Sequence, residues 1–249
     1  ILDLGAFDGT LLKILGEKVQ GNMFAYDINE SLKSFYEGSE ISYTTSKEEC
    51  ESRKYDLIIT SQSLMYFSDL NFIKRLFKEC LKDNGKIFIQ VPDVLENPCA
   101  ITLGDQRSFF TRKSLKKNAE TLNFNCIYFE NLQPKKEIVC LLETGKNIVK
   151  SVEPEESHDL NSIIALLNEK SSVIKKIKER IYILGTTINA SWVGALMNEE
   201  NIAGFFDEDP SKKNKTLLKK NIYSEVNSVS EVLLVPYPDE SRSLFNKFS

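Results

Sequence analysis

The chain has 249 residues, 41% of them apolar and 27% charged, with a formal net charge of −4. This is the balance of a globular protein of one large or two ordinary domains, and no run approaches the ~18 to 20 apolar residues of a membrane span. Negative charge argues against a nucleic-acid partner, whose binding draws on clustered Lys and Arg.

Ile1 already lies inside the first apolar run, so an upstream segment is expected. Apolar runs at 1–5, 22–26, 41–45, 55–61 and 85–91 read as strands, separated by helical stretches at 9–18, 29–37 and 68–82. In the last of these, Leu70, Phe72, Ile73, Leu76, Phe77 and Leu81 recur at helical spacing. Such alternation argues a parallel sheet with helices on both faces. Two further runs, 124–130 and 137–143, joined by Gln133-Pro134-Lys135-Lys136, read as an antiparallel hairpin. Residues 144–158, with Glu153-Pro154-Glu155-Glu156, read as a linker, and a long helical pattern follows from Leu160 to Ile177. A second β-α-β pattern then begins: a strand at 181–184, a turn at Gly185-Thr186-Thr187, a helix at 189–199, and a strand at 202–206 closing on Asp207. A later strand is expected at 232–235. The domains expected are therefore 1–145, a connector at 146–180, and a small Rossmann-like domain at 181–249. The lysines between 212 and 220 read as a solvated loop face.

Five cysteines, odd in number and without a Cys-x-x-Cys pair, indicate neither a disulfide framework nor a zinc site. Reduced thiols in a cytoplasmic protein are expected. His158, the single histidine, sits in the linker, so histidine-based catalysis and histidine metal ligation are not expected. Trp192 shares an apolar helix face with Ile188, Val193 and Leu196 and is expected in a core.

Chemistry concentrates at the first turn. An apolar strand ends in a glycine turn, a helix follows, and a second strand delivers Asp27, the arrangement that holds a nucleoside. A dinucleotide fingerprint starting at Gly5 needs glycines at 7 and 10, where Phe7 and Thr10 stand. Read as acidic-x-Gly-x-Gly-x-Gly, the stretch offers Asp3, Gly5, Phe7 and Gly9, with Phe7 the one mismatch. This resembles motif I of the class I S-adenosylmethionine (SAM) methyltransferases. SAM carries no phosphate, so no third glycine is needed to bring a helix N-terminus against a pyrophosphate. The backbone must still pass close to the methionine moiety, which asks for Gly5 and Gly9. Asp27 can accept both ribose hydroxyls.

The resemblance implies a seven-stranded, mostly parallel Rossmann-like sheet completed by the hairpin, followed by the smaller α/β domain. It implies SAM against Asp3, Gly5, Ala6, Phe7, Gly9, Asp27, Ile28, Ser61 and Gln62. Ser61-Gln62-Ser63-Leu64-Met65-Tyr66 is similar to a Ser-Gln-Val-Leu-x-His stretch of small-molecule and sugar methyltransferases, with Tyr66 in place of His. A neutral-pH base is thus replaced by a phenol of ordinary pKa about 10. Tyr66 is a candidate to hydrogen-bond a substrate hydroxyl or, with a depressed pKa, to act as base, with packing against the next helix as the alternative. Asp93, at the end of strand five, is a candidate general base or a turn residue. Residues 103–115 resemble a His-x-x-Phe-Phe-Thr/Ser-Pro-x-Ser-Leu block, with Gln106 for His and Arg112 for Pro. Asp105 and Arg107 are polar groups that could face substrate there, and Thr111 is expected to cap a helix beginning near Ser114.

Residues 184–192 and 205–211 resemble the C-terminal domain that follows a methyltransferase domain in bacterial surface-polysaccharide and sugar-modifying proteins. There Gly185, Thr186 and Thr187 are candidates to hold a phosphate and Asp207 a ribose; a structural or dimerising domain is the alternative. The activity implied is SAM-dependent methyl transfer to a small polar acceptor, a sugar or nucleotide-sugar, with no metal and no nucleic acid, and a homodimer as a candidate assembly. A non-catalytic SAM-fold scaffold is one alternative, because both histidine positions are changed. An NAD-dependent oxidoreductase is the other; it loses on Phe7 and Thr10.

Overall fold

In the computed structural model of the chain, residues 1–102, 104–132, 137–145, 160–224 and 232–234 are described. They fall into two compact units: Ile1–Asn97 with Gly104–Ser157, and Pro98–Leu103 with His158–Ser249.

The first unit is built in chain order from β1 (Leu2–Leu4), α1 (Thr10–Gly16), β2 (Phe24–Tyr26), β3 (Ser42–Thr44), α2 (Lys47–Glu51), β4 (Tyr55–Ser61), α3 (Leu70–Arg75), β5 (Leu81–Pro92), α4 (Arg112–Thr121), β6 (Phe124–Leu132) and β7 (Glu137–Thr144). Its seven strands lie in the order β3-β2-β1-β4-β5-β7-β6. All pairings are parallel except those of β7, which runs against both β5 and β6. This is the mostly parallel α/β sheet that the sequence implied. The order reverses between β1 and β4, so the strand ends there open a crevice, the place where open α/β sheets bind ligands. Leu2, Leu4, Ile58 and Ile87 are fully buried and anchor the core around these strands.

Two stretches expected as helix differ. Residues 30–36 form a 3-10 helix, entered through Asn29, whose side-chain oxygen accepts from the Ser31 amide. Of it only Leu32 and Tyr36 are buried. The stretch 68–82 is α-helical only over α3, and Leu76–Cys80 continue as a π turn. Leu81 already belongs to β5, paired with Tyr55. The wider turn buries Leu76, Phe77 and Cys80 together, and Gly85 leaves room for the Leu81 side chain to fold back. Apolar spacing alone does not separate an α turn from a π turn.

The second unit contains α5 (Leu160–Ile174), β8 (Ile181–Leu184), α6 (Ile188–Leu196), β9 (Ile202–Phe206), β10 (Thr216–Leu217), β11 (Lys220–Tyr223) and β12 (Val232–Leu234). Its strands run β10-β11-β9-β8-β12, parallel but for the β10–β11 pair. Ile183 and Phe205 are fully buried at its centre, and Trp192 packs on that cluster. The Gln133–Lys136 turn, the linker residues 146–158 with His158, Leu103 and Val235 lie outside the described residues.

Candidate donor and acceptor site

The loop between β1 and α1 departs sharply from ordinary backbone. Gly5, Phe7 and Gly9 have φ of +78°, +47° and +73°, three left-handed residues in five. A Cβ on Gly5 would overlap Ser63 Cβ, and one on Gly9 would stand 2.6 Å from Tyr36 Cε1. Both positions therefore require glycine for space as well as for conformation. Phe7 holds its left-handed state at a cost, and the surroundings fix it. Its amide donates to Asp27 Oδ2 at 3.3 Å, and its carbonyl accepts from the Tyr36 hydroxyl at 2.9 Å. The amides of Gly5 and Ala6 donate to the Tyr26 carbonyl at 2.8 and 3.1 Å.

Asp27 lies just past β2, as the sequence implied. Its Oδ1 accepts from the Asn29 amide at 3.1 Å, so both carboxylate oxygens face backbone donors at the crevice. Asp3 is buried one strand away; burial first, and the Asp27 charge second, push its pKa up to about 7. Tyr36 stacks on Tyr43 at 4.6 Å, and burial raises the pKa of its hydroxyl far above the usual phenol range. Tyr36 thus remains a donor to the loop at any physiological pH. No sequence motif marks it, because it acts across a separation of 29 residues.

The floor comes from the end of β4. Ser63 Oγ donates to the Leu4 carbonyl and lies 3.0 Å from Thr60 Oγ1, tying β4 to β1 under Gly5. Gln62 has φ of +54°, and its buried Nε2 has no hydrogen-bond partner among the described residues. Ser61 Oγ donates to Gln90 Oε1 at 2.9 Å, and Gln90 Nε2 donates to Glu137 Oε2 at 2.5 Å. Phe7 and Ile28 are the exposed members of the expected cofactor set, at 64% and 78%, while Ala6 is buried.

The three acceptor-side candidates separate. Tyr66 is 45% exposed at the end of a 3-10 turn spanning Leu64–Tyr66. The Met65 carbonyl in that turn accepts from the amides of Arg107 and Ser108 at 2.7 and 3.2 Å. This brings the exposed Asp105 and Arg107 loop alongside Tyr66. Asp93 is buried, 2% exposed, and its Oδ1 accepts from the Leu95 amide at 3.1 Å while its carbonyl accepts from Asn97 at 2.8 Å. These bonds make Asp93 the turn former at the end of β5. Thr111 caps as expected, but the helix starts at Arg112, because Thr111 and Ser114 exchange a reciprocal capping box.

A family model described as a methyltransferase domain matches residues 1–128. The chain belongs to the methyltransferase-domain family. Members transfer a methyl group from SAM, so this methyltransferase takes a sulfonium donor rather than a nicotinamide. The orphaned Gln62 amide fits a ligand seated on the loop, whose glycines pack directly on Ser63 and Tyr36. No curated protein matches the chain. Among solved structures, a putative methyltransferase of Haloferax volcanii, in complex with the Trm112 methyltransferase activator, is similar at 10% identity and a TM-score of 0.50, over 58% of this chain and 81% of that one. A putative type 11 methyltransferase of Sulfolobus solfataricus is 21% identical over 64% of this chain and 88% of its own, with a TM-score of 0.48. An S-adenosylmethionine-dependent methyltransferase of Mesorhizobium loti is 11% identical, over 57% and 89%, with a TM-score of 0.47. At these identities the likeness is one of fold.

In the second unit, the Gly185 turn has φ of +84°, and its amide donates to the Phe206 carbonyl at 2.6 Å. Asp207 stands after β9 as Asp27 stands after β2, but its surroundings differ. Asp207 Oδ2 accepts from Thr186 Oγ1 at 2.5 Å and pairs with Lys212 Nζ at 3.0 Å. Burial acts to raise its pKa, yet the bonds from Thr186, Asp209 and Lys212 outweigh it and hold the carboxyl below its usual range. Among the described residues no cluster suited to a metal occurs, and no helix is long and apolar enough to cross a membrane.

Proposed function

We propose that SAM sits on the Gly5–Gly9 loop, with Asp27 accepting the ribose hydroxyls and Gln62 donating its buried amide to the ligand. The observation that carries this reading is the loop itself: three left-handed residues, no room for a Cβ at either glycine, and a direct tie to Asp27. When bound, the group supplies an electrophilic methyl on a sulfonium. The chain's part is then to align an acceptor in line with that methyl and keep competing water away.

The acceptor we propose is a small polar molecule, a sugar or nucleotide-sugar. Tyr66 and the Asp105–Arg107 loop are exposed, polar and gathered on one turn, which supports hydroxyl and phosphate recognition. Tyr66 would orient the acceptor by hydrogen bonding, and Asp105 or Asp93 would take a proton from it. Of these two, Asp105 is solvent-facing and Asp93 is engaged in its turn.

Calorimetric titration tests the donor site. S-adenosylhomocysteine should bind, NAD should not, and Asp27→Asn should weaken binding about 10- to 100-fold, the value of one charge-assisted hydrogen bond. Tight NAD binding without S-adenosylhomocysteine binding would overturn the assignment. Methyl transfer from tritiated SAM to a nucleotide-sugar panel tests the acceptor: Tyr66→Phe should lower turnover, and of Asp105→Asn and Asp93→Asn the one that abolishes turnover identifies the base, the other keeping it.

A further inference from the structure

The first unit holds a cavity of about 450 Å³ that no residue of the glycine loop lines, though Leu64 and Ser108 on its rim adjoin the Tyr66 turn. It lies between α3 with its π turn and α4, over Ile89 of β5 and Leu142 of β7. Its walls are mainly apolar, with Ile73, Phe77, Phe110 and Leu115 among them, and its size and lining are those of a small-molecule site.

Two observations point to an occupant. The first is the π turn over Leu76–Cys80, a distortion often met at functional positions, from which Phe77 lines the cavity. The second is charge. Lys74 lines the cavity, is exposed, and has no ion pair among the described residues. The two wall segments, 70–80 and 112–121, carry seven Lys and Arg against Glu79 and Glu120; Arg75 pairs with Glu51, and Arg112 and Lys116 lie over the Phe129 ring, which leaves Lys74 as the cation at the cavity wall. This concentration of positive charge stands out in a chain of net charge −4.

We propose that this cavity is a second ligand site, for a small carboxylic acid with an apolar body. The hydrocarbon would replace water against the aliphatic and aromatic walls. The carboxylate would meet the Lys74 ammonium at the mouth, with the Asn118 side chain, also lining the cavity, as a second polar group. A neutral hydrocarbon leaves the lysine unpaired, and a wholly polar acid leaves the walls wet.

Titration of the full chain with 1-naphthoate and its neutral counterpart 1-naphthamide decides it. Saturable binding of naphthoate is expected, with naphthamide about tenfold weaker. Lys74→Gln should weaken naphthoate about tenfold and leave naphthamide unchanged. Ala119→Leu, which fills the cavity, should abolish both, with S-adenosylhomocysteine affinity and circular dichroism unchanged as the check on folding. Lys74 is exposed, so the decision does not depend on the core variant. Absence of saturable naphthoate binding, or binding indifferent to Lys74→Gln, overturns the proposal and leaves the donor-site reading untouched.

Discussion

Asp3 shows how one carboxyl can set a pH dependence for a whole unit. Its folded pKa is raised to about 7, by burial first and by Asp27 second, whereas an unfolded chain titrates it near 3.9. Between about pH 4 and 7 the folded state therefore holds more protons than the unfolded one, so this group's contribution falls as pH rises through that window. The full loss is on the order of 4 kcal/mol, reached above the folded pKa. Asp3→Asn should melt like the parent near pH 4 and several degrees higher near pH 8; equal melting at both would place the Asp3 pKa at its ordinary value. Cys126 is perturbed the other way. A hydrogen bond from Cys140 acts first, burial opposes it, and the Tyr128 backbone with nearby Lys116 and Arg112 assists, holding the thiol below its usual range. Burial lifts Cys50 to about 12 and Cys99 to about 11, and raises Cys80; Cys140 is raised by its bond to Cys126 and by burial. Iodoacetamide near neutral pH should therefore modify Cys126 ahead of the other cysteines, and peptide mass mapping will read the order. These two perturbations were not legible from sequence, because both arise from neighbours on other strands.

At the level of elements, what could be read was whatever local spacing dictates. The apolar runs placed all seven strands of the first sheet, and motif spacing placed Asp27 at the end of β2. The π turn and the 3-10 helix escaped, since both satisfy the same apolar pattern as an α-helix and are selected by tertiary burial. Tyr36 escaped for the related reason that a long-range hydrogen bond leaves no periodic trace. The cap at Thr111 was legible because capping is local chemistry. Its Oγ1 accepts from the Ser114 amide at 3.1 Å, and Ser114 Oγ accepts from the Thr111 amide at 2.9 Å. Thr111→Ala should cost about 1 kcal/mol, whereas Thr111→Ser should cost much less. In thermal melts that is a drop of roughly 2 to 4 °C for the alanine variant alone. Equal drops would mean that the methyl packing of Thr111, not its oxygen, supports α4.

On the scale of the molecule, each unit has a core of its own. The first centres on buried residues of β1, β4 and β5, and the second on Ile183, Val193, Phe205 and their neighbours. Pro98–Leu103, inserted in sequence between residues of the first unit, groups with the second, an exchange that no local pattern announces. Every residue assigned to the donor belongs to the first unit. Ligand binding stabilises only the folded body that carries the site, by about 2.7 kcal/mol at a hundredfold excess over Kd. S-adenosylhomocysteine at that excess should therefore slow hydrogen exchange in β1, β4 and β5 by up to about 100-fold in their slowest amides, and leave β8 and β9 unchanged. Equal protection in β8 and β9 would show that the two cores unfold as one cooperative body. Protection confined to β8 and β9 would move the donor to the Gly185 turn and remove it from Gly5. The occupied carboxylate of Asp207, bonded by Thr186 and Lys212, argues against that outcome, because a ribose would have to displace both partners before it could bind.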